Sequence, residues 1–115
     1  MKNMFNAGIV CELVESCIAN NDSKVEGYIK SYRTISHSYI DYNKDKPFSE
    51  NEKNKEKILK IIPLIDDDIE ELYSCYKAKD FDMVKYWLEQ IQTIYKNLGD
   101  NRSVKMIQKR LDENF

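Results

Sequence analysis

Three glycines and two prolines are all that this chain of 115 residues offers for tight turns and strained backbone. A turn-rich β fold needs more of both, so long helices joined by short connections are expected. The chain has one histidine, and its three cysteines, Cys11, Cys17 and Cys75, are odd in number and form no C-x-x-C. Such a set cannot supply a standard structural zinc site, and neither a metal nor a cofactor is expected. The plain reading of the cysteines is reduced, partly buried thiols in a cytoplasmic protein. No long uninterrupted apolar run is present. The N-terminal stretch MKNMFNAGIVCELVESCIANN carries Glu12 and Glu15 inside its apolar run. These carboxylates break the segment that a signal peptide or a membrane span requires, so no membrane contact is expected. A large charge of one sign is also missing. The 18 basic and 20 acidic residues leave a net charge of −2, which argues against binding nucleic acid through the overall field.

What the sequence does have is helical periodicity. With 42% apolar and 33% charged residues, one domain over residues 1–115 is long enough to bury a core without metal or disulfide staples. A first helix is expected over Asn3–Ala19, where Phe5, Ile9, Val10, Leu13, Val14, Cys17 and Ile18 make a broad apolar face. Asn20-Asn21-Asp22 interrupts it, and Ser23 with Glu26 makes a capping-box pattern for a second helix. Its expected stripe is Val25, Ile29, Tyr32, Ile35, Tyr39 and Tyr42. A break follows at Asn43–Pro47, and Ser49 with Glu52 repeats the capping signal.

The third helix carries Ile58, Ile61 or Ile62, Ile65, Ile69, Leu72 and Tyr76. Pro63 interrupts its backbone bonding but leaves the apolar phase unshifted, which predicts one helix kinked at Pro63. Asp80 should cap a fourth helix with Val84, Leu88, Ile91, Tyr95 and Leu98 inward, and Gly99 suits the residue just past its end. Asp100 or Asn101 can cap a short fifth helix with Val104, Ile107 and Leu111. The fold class is therefore all-α: four to five antiparallel amphipathic helices in a bundle or hairpin array.

The only histidine lies in SYRTISHSY, residues 31–39. Arg33, His37 and Tyr39 there resemble the motif of the HEPN ribonucleases, in which an arginine precedes a histidine and, in one branch, a tyrosine follows two positions later. The resemblance implies a ribonuclease in which His37 acts as general base on a ribose hydroxyl and Arg33 holds the scissile phosphate. The spacing departs from the family, with three residues between Arg33 and His37 where four to six are usual. At about 100° per residue, both point away from the Tyr32/Ile35/Tyr39 stripe and share their side with Glu26, Lys30 and Asp41. That phase describes the wet face of an amphipathic helix and favours a chain with no catalytic residues.

Other charged clusters have equally plain readings. Asp66-Asp67-Asp68 with Glu70 and Glu71 fan around a helix and cannot converge on one cation. Lys53, Lys55, Lys57 and Lys60 are also spread around their helix without interleaved aromatics, so nucleic acid is not the expected partner. Cys11 or Cys17 could use His37 as a base if the fold joined them, but Cys17 belongs to an apolar face.

Two features point to protein binding. Tyr28, Tyr32, Tyr39 and Tyr42 lie near one side of the second helix, and tyrosine suits surfaces that are apolar at one end and wet at the other. The plain alternative is that they pack against the core. Residues 76–101, with Lys79-Asp80-Phe81, then Val84, Leu88 and Ile91, then Asn97-Leu98-Gly99-Asp100, resemble the second half of a tetratricopeptide-type hairpin. The resemblance implies helical hairpins that bind a protein or peptide. It covers about a quarter of the chain, and no repeat of that length recurs elsewhere. The expected function is a non-enzymatic helical interaction module, a small regulator, adaptor, immunity-type or inhibitor protein that docks a partner on a tyrosine-rich or apolar face. Its broad apolar faces also suggest a homodimer.

Overall fold

The computed structural model describes residues 7–43 and 53–115, with side chains from residue 56 in the second stretch, and no β-strand occurs among them. Among the described residues are five helices: α1 Ala7–Ile18, α2 Asp22–Asn43, α3 Lys53–Lys77, α4 Phe81–Leu98 and α5 Asn101–Asn114. The protein is an all-α bundle. Phe5 and the start of the expected first helix, Pro47 and the Ser49/Glu52 cap lie outside the described residues.

Three connections are built the same way. Asn20, Lys79 and Gly99 adopt left-handed backbone at φ 55°, 61° and 89°. At each, the residue's N–H reaches the carbonyl three positions back and the next N–H reaches five back: Asn20 to Cys17 and Asn21 to Ser16, Lys79 to Tyr76 and Asp80 to Cys75, Gly99 to Lys96 and Asp100 to Tyr95. This is the Schellman closure, which satisfies the orphan carbonyls of a helix end. The following Asx residue then caps the next helix. Asn21, Asp80 and Asp100 accept from the backbone N–H of Lys24, Met83 and Ser103 at 3.2, 3.3 and 3.1 Å. Asn21, and not Ser23, therefore opens α2, because the closure of α1 has already placed its side chain over the new helix end.

The tight turns reverse the chain between α1 and α2, α3 and α4, and α4 and α5. Across α2 and α3, Glu26 meets Tyr73 while His37 faces Asp66, so that pair is antiparallel too. Helices consequently alternate in direction, and α1 and α5, which pack together, run parallel. Arg110 of α5 closes this seam on Glu12, at 3.6 Å, and on Glu15.

The core sits where the apolar stripes meet: Val10, Leu13, Val14 and Cys17 from α1, Ile65, Ile69 and Leu72 from α3, Val84, Leu88 and Ile91 from α4, Ile107 and Leu111 from α5. Each buried Leu, Ile or Val contributes about 1.5–3 kcal/mol relative to exposure. Helix α2 supplies Val25, Ile29 and Tyr32 but then departs from the expected stripe. Ser36 and Asn43 are buried, while Ile35 and Tyr42 are 44% and 68% exposed. The buried line follows residues 25, 29, 32, 36 and 43, rotated away from 35 and 42. Helix α3 runs through Pro63 as one element. Pro63 faces solvent, where water can serve the Leu59 carbonyl that loses its helical donor.

Candidate functional site

Arg33 and His37, four residues apart on α2, face Glu70 and Asp66, four apart on α3. Arg33 Nη2 donates to Glu70 Oε1 at 3.3 Å, and His37 Nε2 lies 4.0 Å from Asp66 Oδ2. Arg33 and His37 line a cavity of about 390 Å³ with Glu26, Ile29, Lys30, Thr34 and Tyr73. The pair borders an open groove on the solvated side of α2, where the Arg33 and His37 side chains are 37% and 66% exposed. Helical phase gives the angle from a helix's own stripe. It does not show that α3 packs against that flank.

The groove is charge-balanced toward the acid side. Lys30 and Arg33 are its cations, and Glu26, Glu70 and Asp66 are the carboxylates in or beside it. Asp66 Oδ1 is buried without a hydrogen-bond partner. Burial pushes the Asp66 carboxyl up from its ordinary value, while His37 and Arg33 draw it down. Nothing there offers surplus positive charge to a phosphate. Among the described residues no group of three or more His, Cys, Asp or Glu side chains could hold a metal ion.

The tyrosines of α2 separate. Tyr32 is fully buried and its hydroxyl interacts with that of Tyr95, so it packs the core and cannot meet a partner. The Tyr28 hydroxyl donates to Glu12 Oε2 at 3.2 Å and tethers α2 to α1. Tyr39 is half-buried, and Tyr42 alone of the four is largely exposed. They do not form one exposed face, because a stripe that lies near the apolar side of a helix is drawn into the core.

Exposed large apolar groups also occur on α3 and α4. Leu64 is 54% exposed, Tyr86 45% and Met83 38%. Beside Leu64 lies a cavity of about 240 Å³, floored by Ile61, Leu64, Ile94 and Leu98 and edged by Lys57, Lys60 and Asn97. Trp87 is half-buried on the same helix, edge-on to Tyr86 at 5.2 Å. The sequence carried a signal for these exposures: Leu64, Met83 and Tyr86 are large apolar residues out of phase with the buried stripes of their own helices.

Cys11 and Cys17 are buried in α1 and Cys75 is half-buried on α3, all as free thiols. No helix among the described residues is long and apolar enough to cross a membrane. Compared with known proteins, the chain matches no family model, no curated protein and no solved structure.

Proposed function

We propose that the protein is a non-enzymatic helical interaction module of the cytoplasm, docking a protein partner on the outer face of α3 and α4. The observation that carries this reading is the apolar groove of Ile61, Leu64, Ile94 and Leu98, open to solvent and rimmed by Lys57 and Lys60. An apolar floor with a charged rim is the usual anatomy of a recognition surface. Further support comes from Leu64, Met83 and Tyr86, whose exposure has no use inside the bundle. The tetratricopeptide resemblance of residues 76–101 points the same way by analogy. The face replaces the tyrosine row first suggested by α2.

Immobilised protein should capture a defined protein partner from a native extract. Leu64→Asp should abolish capture with helical content unchanged, and Tyr42→Ala should leave it intact. Equal capture by wild type and Leu64→Asp would remove the α3/α4 face from the reading.

A degenerate HEPN-like ribonuclease is the second reading, favoured by one observation: Arg33 and His37 border the same groove. His37 would act as base and Arg33 as phosphate ligand. Glu70 already holds Arg33, and the neighbouring carboxylates repel a polyanion. Incubation with total RNA decides it, since background cleavage equal to that of His37→Ala sinks the enzyme.

A further inference from the structure

Along the exposed flank of α3, Lys57, Lys60, Leu64, Asp67 and Glu71 recur at spacings of three and four, one continuous stripe. Lys57, Lys60, Asp67 and Glu71 are all exposed, and Leu64 stands at the centre, 54% exposed. Charge is positive before Leu64 and negative after it. Lys57 and Glu71 lie seven residues to either side, and Lys60 four residues before is matched by Asp68 four after. At 1.5 Å rise per residue the two outer charges sit about 10 Å from Leu64.

A stripe of this kind is complementary to its own reverse. We propose that the partner of this face is a second copy of the chain, its α3 laid antiparallel about a two-fold axis near Leu64. Lys57 and Lys60 of one copy then meet Glu71 and Asp67 or Asp68 of the other, twice over. Each Leu64 enters the other copy's groove between Ile61, Ile94 and Leu98. This inference rests on the α3/α4 docking reading and names its occupant. Such pairing is isologous, which closes at two copies and does not propagate into a fibre.

The charge pattern argues for a copy over a foreign helix. An acidic helix would suit Lys57 and Lys60 but would be repelled by Asp67, Asp68 and Glu71. A basic one would have the opposite fault, whereas the reversed stripe matches both halves. Among the described residues, Lys60 has an internal competitor, pairing with its own Glu56 at 3.4 Å. That bond is an exposed i,i+4 pair of little net strength and exchanges readily. Asp68 is half-buried, and its carboxyl is raised by burial and by Asp67, a tension that an incoming lysine would relieve.

The test uses two charge-swapped chains. One carries Lys57→Glu with Lys60→Glu and has an all-acidic stripe. The other carries Asp67→Lys with Glu71→Lys and has an all-basic stripe. Sedimentation at low ionic strength and high micromolar protein should show a wild-type dimer and two monomeric variants of unchanged helical content. Their dimer dissociation constants should rise at least about tenfold, since each close like-charge pair opposes association. Mixing the two variants should restore a one-to-one heterodimer, which dissociates as salt is added. A monomeric wild type would overturn the inference, as would homodimers that survive both swaps or a mixture that stays monomeric. If wild type is monomeric but Leu64→Asp still abolishes capture of another protein, self-pairing fails and the docking face stands. If neither association responds to Leu64→Asp, both fail.

Discussion

The hydroxyl of Tyr76 donates to Oδ1 of Asp22 across 2.5 Å, joining the last turn of α3 to the first residue of α2. Lys79 approaches the same oxygen at 3.5 Å, lies 4.4 Å from the Tyr76 ring centre and also donates to Asn20. Two left-handed turns that are distant in sequence are thereby fastened together at one end of the bundle.

The Tyr76 hydrogen bond, followed by the Lys79 charge, holds the Asp22 carboxyl below its ordinary value of 3.8. A carboxylate lowered in the folded state adds stability above its unfolded value, and that stability is lost as pH falls through the folded value. Asp22→Asn should therefore lower the urea midpoint at pH 7. The gap from wild type should shrink as pH falls below about 3.8 and close only below the lowered folded value, where both states are protonated. A gap that persists unchanged into acid would mean that Asp22 acts through packing and not through charge.

Asp66 has the opposite sign. Burial raises its carboxyl above 3.8, outweighing the opposing charges of His37 and Arg33. A raised carboxyl favours the fold below the unfolded value, and that support is lost as pH rises through the folded value. At pH 7 the charged form is held at a cost. Asp66→Asn should leave the urea midpoint at pH 7 unchanged or higher, with any gain disappearing in acid. A clear fall at pH 7 would show that the His37 and Arg33 attractions dominate after all.

The three turns give a backbone prediction. A Cβ on Gly99 would meet nothing within 4 Å, so its substitution tests conformation alone. Gly99→Ala should cost about 1–2 kcal/mol, the usual penalty of left-handed backbone for a residue with a Cβ. Asn20→Gly, at φ 55°, should change stability less than Gly99→Ala, because the relief of left-handed backbone is offset by loss of the Lys79 acceptor. Equilibrium unfolding in urea measures both. A neutral Gly99→Ala would show that this turn relaxes without strain.

Much of this architecture was readable in the chain because local rules and tertiary packing agree there. Asp80, Gly99 and Asp100 took the capping roles that their side chains and backbone freedom suggest, and residues 84, 88, 91 and 95 point inward as their spacing requires. The sequence misled where two signals pointed the same way for different reasons. Tyr32 and Tyr42 both fall near the apolar side of α2, yet a modest rotation buries one and exposes the other. Lys79 at a left-handed position has no local signature, and its side-chain contacts to Asn20 and Asp22 come from a turn distant in sequence. The flank of Arg33 and His37 could not be assigned from one helix alone, because which neighbour covers it is a property of the bundle.

Thiol chemistry gives a last check on the packing. Disulfide exchange requires a thiolate and an open approach, and rates fall when either is withheld. Burial pushes the Cys17 thiol up to about 12, with Lys79 pulling weakly the other way. Cys11 is also raised by burial, despite the opposing charge of Arg110. Both sit fully inside α1, while Cys75 is half-buried on α3. Native protein at mildly alkaline pH should therefore release one equivalent of chromophore quickly from an aromatic disulfide reagent. The other two thiols should react only as the chain unfolds, at a rate that follows global opening. Cys75→Ser should remove the fast phase and leave the slow one. Two fast thiols in the native protein would mean that α1 opens without the rest of the bundle, and would place its contacts with α2 and α5 among the weakest in the fold.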